Sequence, residues 1–226
     1  GADVDHFIAL KEEVNDIKVL NQSYRIPGGP IHELSQNIIN KVQNRFDKDY
    51  KPRDDEGILK RYSDITQVDM SKGNWLVLSS ANYFLDDAKD LCEIQGWYYQ
   101  FKGRNSIPLK LLMALNNWEA WRKDAQLNHL EIKNIYEYLG SHVLPGFQKG
   151  KTLHSDTKYL MKDCRAEHGL VTDSVWYEAF EGLDNMTETY IRNMRANGEM
   201  INKNPRIIMS TIHGAKGGEA DKVLLM

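Results

Sequence analysis

Ser210-Thr211-Ile212-His213-Gly214-Ala215-Lys216-Gly217-Gly218-Glu219 gathers the groups best suited to meet a phosphorylated ligand. Gly214, Gly217 and Gly218 let a backbone approach a ligand closely, and Lys216 supplies a positive point charge. Thr211 and His213 can donate to the phosphate of a bound strand. Glu219 repels a bare triphosphate but can accept a hydrogen bond from a ribose. A second candidate is Tyr24-Arg25: the guanidinium offers forked donors to a terminal phosphate during phosphoryl transfer, and the ring offers a flat face to a purine. A plainer assignment pairs Arg25 with a helix carboxylate and puts Tyr24 in a core.

Other chemistries lack their residues. GxxxxGK[ST], which cradles phosphates and ligates magnesium, does not occur, so the chain alone is not expected to hydrolyse ATP. The seven histidines and two cysteines show no paired ligand spacing, and HExxH, CxxC and GxSxG are absent. No metal site is expected. Asp86-Asp87 and Asp54-Asp55-Glu56 read as helix-end or solvated carboxylates. Lys102, Arg104 and Lys110 beside Trp97, Tyr98, Tyr99 and Phe101 fit a strand end packed into a core better than they fit base stacking with phosphate pairing.

The elements that must position these groups follow from periodicity. A short helix is predicted at 4–10, a strand at 17–20, and a helix after Pro30 with Ile31, Leu34, Ile38, Ile39 and Val42 on one stripe. Next come a buried strand at 75–79, a helix capped by Ser80 or Asn82 and stopped by Gly96, and a strand at 97–101. This strand–helix alternation is that of a parallel α/β sheet. From 107 to 198 the pattern is mainly helical, with helices at 111–121, 130–139, 156–168, 175–180 and 186–194. Strands at 206–209 and 223–226 then resume the sheet and flank the glycine-rich segment. The predicted organisation is therefore 1–106, a helical insertion at 107–198, and a resumed sheet at 199–226. An end at Met226, inside an apparent core strand, predicts a piece of a larger protein.

With 226 residues, 41% of them hydrophobic and 27% charged, the chain is long and apolar enough for one or two globular domains. Its net charge of -3 means that any grip on nucleic acid must be local. There is no signal-peptide pattern and no spanning apolar run, and Cys92 and Cys164 read as reduced thiols of a cytoplasmic protein.

Together these segments resemble the C-terminal half of the UvrD/Rep family of superfamily 1 DNA helicases. Gly1-Ala2-Asp3 is similar to the tail of that family's third motif. Asn21-Gln22-Ser23-Tyr24-Arg25 resembles the fourth, with Ser23 in place of Asn. The 75–96 segment resembles a family strand and helix, with Ser80 where an arginine is usual. Thr211 to Glu219 resembles the fifth motif, Thr-hydrophobic-His-x-x-Lys-Gly-Leu-Glu, with Gly218 at the leucine. The resemblance implies a RecA-like sheet with a 2B-like insertion, and a sixth, arginine-finger motif beyond Met226. It implies Tyr24 stacking on adenine, Arg25 as the catalytic γ-phosphate contact, and Gly217 and Glu219 near the nucleotide. Thr211, His213 and Lys216 would face single-stranded DNA. ATP and Mg²⁺ would serve the full-length protein, with an N-terminal RecA-like lobe and single-stranded or partial duplex DNA as partners, in replication or repair, and with 3′–5′ unwinding. A non-catalytic DNA-binding module, the helicase-like arm of a recombination nuclease, and a metabolic α/β enzyme with a helical cap are the alternatives.

Overall fold

In the computed structural model, which describes residues 4–43, 45, 47–199 and 203–226, the apolar segments 75–79 and 207–211 become neighbouring parallel strands. The chain divides into two compact units, Gly1–Ser63 and Asp64–Met226. Gly1-Ala2-Asp3 lie outside the described residues.

The second unit is built on a five-stranded, mostly parallel sheet, so the fold class is α/β. Its strands are β1 (Trp75–Ser79), β2 (Tyr99–Phe101), β3 (Arg104–Asn105), β6 (Ile207–Thr211) and β7 (Lys222–Leu225). Their order is β3-β2-β6-β1-β7. Only the β2–β3 hairpin is antiparallel; Trp75 stands opposite both Ile207 and Lys222 in register. Helix α3 (Asp86–Gln95) joins β1 to β2 and leaves room between them that β6 fills. Because side chains alternate across a strand, Val77, Ile207, Met209 and Tyr99 share one face. All four are buried in a core with Ala88, Leu91 and Cys92 of α3. The opposite face carries Ile208, Val223 and Leu225, all exposed.

Between β3 and β6 the chain is mainly helical, as the 3.6-residue spacing predicts. Helix α4 (Leu109–Trp121) buries Leu111, Leu112, Leu115, Trp118 and Trp121, and the two indole N–H groups donate to Ser174 O (3.1 Å) and Tyr159 O (3.0 Å). A short ribbon of β4 (Leu127–Asn128) and β5 (Lys158–Tyr159) follows. Helix α5 (His129–Tyr136) begins with a capping box: Asn128 accepts from the Leu130 and Glu131 N–H groups, and Glu131 accepts from the Asn128 N–H. Helices α6 (Met161–Glu167) and α7 (Trp176–Ala179) lead to α8 (Asn185–Ala196), which packs against α3. Gly96 ends α3 at φ 68°, and a Cβ there would sit 2.5 Å from the Asn193 backbone of α8. Glycine is thus required both for the turn and for the helix approach.

The first unit holds α1 (Val4–Glu13) and α2 (Pro30–Ile39). Pro30 opens α2 as predicted, but the stripe of Ile31, Leu34, Ile38 and Ile39 is not buried. No strand forms at 17–20. A short apolar run has no strand unless a neighbour takes its hydrogen bonds, and here residues 21–28 are the ones that pair, with 51–57. The 223–226 run differs in another way: β7 is an edge strand whose Val223 and Leu225 are exposed, so it is not the core strand its composition suggests. Among the described residues no helix is long and apolar enough to cross a membrane.

Candidate nucleic-acid interface

At the carboxyl ends of β1 and β6 the chain departs in opposite directions. From β1 it runs toward β2 through α3, which packs on the face bearing Val77. From β6 it runs toward β7 and crosses the other face, where a Cβ on Gly218 would lie 3.8 Å from Leu76. Opposed exits from adjacent parallel strands open a crevice at the sheet's carboxyl edge, the usual ligand position in α/β sheets.

A cleft of about 510 Å³ occupies this crevice. Thr211 lines it from the end of β6 and Gly214 and Glu219 from the β6–β7 loop, with Asn82 from the turn after β1 and Lys102-Gly103 from the β2–β3 hairpin. The loop is tightly tied. Ile212 N–H donates to Ser79 O (3.0 Å), Ala215 N–H to Thr211 O (3.0 Å), and Gly218 N–H to Ala215 O (2.8 Å). Thr211 Oγ1 accepts from Gly214 N–H at 3.1 Å, which leaves the hydroxyl proton to donate elsewhere. A Cβ on Gly214 would come within 2.7 Å of Ser210 Oγ, and one on Gly218 within 3.0 Å of the Ala215 carbonyl. A side chain at 218 would require the Ala215 carbonyl to give by a few tenths of an ångström.

Of the sequence-predicted residues in this unit, Thr211 and Glu219 line the cleft. His213, Lys216 and Gly217 are exposed on the same loop but do not line it. Asn82, Lys102 and Gly103 are cleft residues that sequence reasoning did not place there. Asn82 is not the α3 cap: α3 begins after Leu85, without a side-chain cap, and Asn82 instead opens a 3-10 turn spanning Asn82–Leu85. Lys102 (φ 51°) and Gly103 (φ 74°) form the two-residue hairpin turn that brings the ammonium to the sheet edge. A Lys-Gly pair between two short strands was the available signal.

The basic-aromatic cluster separates in space. Trp97, Tyr98 and Tyr99 are buried and belong to the core, not to a stacking surface. Burial and the Glu93 carboxylate hold the Tyr99 hydroxyl well above the usual phenol range, so it stays a neutral donor to Glu93 at 2.7 Å. Lys110 pairs with Glu137. Phe101 remains partly exposed, with Lys89 Nζ 4.6 Å and Lys102 Nζ 5.2 Å from its ring centroid.

Tyr24 and Arg25 belong to the first unit. They sit on a turn held by Ser23, which is buried and whose Oγ accepts from the N–H groups of Arg25 (3.2 Å) and Ile26 (2.9 Å). Parallel bridges Gln22–Lys51 and Gly28–Glu56 bracket the turn. Tyr24 is 85% exposed, so it does not fill a core, and its ring face is open to a ligand. Among the described residues no three His, Cys, Asp or Glu side chains are grouped to hold a metal ion.

Along the edge cleft Lys102, Asn82 and Thr211 offer donors, Leu76, Ile208 and Met209 add apolar surface, and Glu219 places one carboxylate at its side. Comparisons of this chain with protein-family models, curated proteins and solved structures give no match.

Proposed function

We propose that this chain is a RecA-like lobe of a UvrD/Rep-type superfamily 1 DNA helicase, coupling ATP hydrolysis in a two-lobed enzyme to movement along single-stranded DNA. The observation that carries the reading is the tied Thr211–Glu219 loop at the crevice between β1 and β6, where Asn82, Lys102 and Thr211 offer side-chain donors suited to a phosphate backbone. Thr211, with His213 and Lys216 on the same loop, meets the strand, and Asn82 and Lys102 extend the contact along the cleft. The net charge of -3 confines affinity to this lane.

The nucleotide half of the reading rests on the Tyr24-Arg25 turn. Tyr24 offers its open ring face to adenine and Arg25 its forked donors to the terminal phosphate. ATP, with Mg²⁺ held by the companion lobe, supplies the phosphoryl transfer whose charge Arg25 steadies. Alternate closing and opening of the two lobes then moves the strand.

In the two-lobed enzyme, Arg25→Ala lowers DNA-dependent ATP turnover by about 100-fold. Undiminished turnover removes Arg25 from the mechanism. The isolated chain shows negligible ATP hydrolysis, and robust hydrolysis by the purified chain contradicts the assignment.

A further inference from the structure

Tyr83 and Phe84 occupy the 3-10 turn that begins at Asn82, immediately beyond β1. Their side chains are 66% and 46% exposed, and their rings touch with centroids 4.1 Å apart. The turn that presents them is anchored on both sides. Leu85 is fully buried, Phe84 N–H donates to Ala81 O at 3.2 Å, and Ser79 Oγ donates to the same carbonyl at 2.6 Å. Two large aromatic rings are thus held in water on a fixed backbone, next to the residue that lines the edge cleft.

We propose that Tyr83 and Phe84 form a stacking platform for unpaired nucleobases of a strand lying in the Asn82–Lys102–Thr211 cleft. The proposal rests on the reading of that cleft as a single-strand site. Stacking on aromatic rings suits unpaired bases because every base has a π-face, whereas the bases of a duplex are already stacked. The charges beside the rings agree with bases, not phosphates, at this spot. Asp86 and Asp87 follow directly in α3, and the Asp86 charge is compensated by its pair with Lys89. Asp87 is then the carboxylate that disfavours a phosphate there and can accept from a base N–H, while Lys102 across the cleft takes the backbone. The strand therefore runs with its phosphates toward Lys102 and Thr211 and turns at least one base toward Tyr83.

The test is fluorescence anisotropy of the purified chain with a labelled oligothymidylate of about 15 nucleotides and with an abasic strand of equal length. The Tyr83→Ala/Phe84→Ala variant binds oligothymidylate about 10-fold or more weakly than the parent chain, yet binds the abasic strand equally well. Tyr83→Phe keeps the parent affinity, because it keeps the ring. If the double variant does not fold, Tyr83→Ala alone gives the same comparison at the more exposed position. Equal affinities of variant and parent for oligothymidylate overturn the platform but leave the cleft reading intact, as does an equal loss on both strands. A parent chain that binds neither strand overturns the cleft reading, and the platform with it.

Discussion

Ser23 and Thr211 do comparable work in the two units: the Ser23 hydroxyl accepts from two backbone N–H groups and the Thr211 hydroxyl from one, and each so helps to fix its turn. Cys92 and Cys164 illustrate the opposite use of a small polar group. Burial pushes both thiols from an ordinary 9.0 up to about 12. The folded state therefore prefers the protonated thiol. Its contribution to stability is complete below pH 9.0 and is lost as pH rises toward about 12. Burial raises the buried phenols Tyr136 and Tyr190 too, with the same sign. Chemical denaturation should accordingly show stability falling across that alkaline interval, and a denaturation midpoint unchanged through it contradicts this account. Thr211 and Glu219 were legible as cleft residues because glycine spacing and flanking apolar runs mark a loop at a strand's end. Asn82 and Lys102 were not, because their role depends on which strand lies beside β1, and local sequence carries no strand order.

Elements with a strong period were readable and those defined by partners were not. The α4 spacing of Leu111, Leu115, Trp118 and Trp121 places the apolar stripe that the structure buries completely or nearly so. Trp118 sits edge-on to both Trp121 and Phe180, with its N–H bonded to Ser174 O. Trp118→Ala should destabilise the fold by about 3–5 kcal/mol, from lost contacts and the cavity left behind. Urea unfolding checks this, and a loss under about 1 kcal/mol means that the helical stretch repacks around the gap. The 17–20 and 223–226 segments look alike as short apolar runs. One forms no strand and the other forms an exposed edge strand, because pairing and cover come from distant chain segments.

Across the second unit, the sheet and the helical stretch are joined by a largely buried ion pair. Arg206, just before β6, binds Glu199 through Nη2 at 2.5 Å and also donates to the Met70 carbonyl ahead of β1. This link ties the return of the chain after α8 to the central strands, so β6 enters between β1 and β2 in register. Entry of β6 at that place creates the crevice, and the crevice gives the Thr211–Glu219 loop its place beside Asn82 and Lys102. The central claim is that this carboxyl-edge cleft grips single-stranded DNA. The most direct measurement is an amide chemical-shift titration of the isotopically labelled chain with a short oligothymidylate. The account predicts saturable shifts centred on Asn82, Lys102, Gly103 and the Thr211–Glu219 loop, weakening steeply as salt is raised. Absence of shifts at low salt, or shifts confined to residues away from that edge, contradicts it.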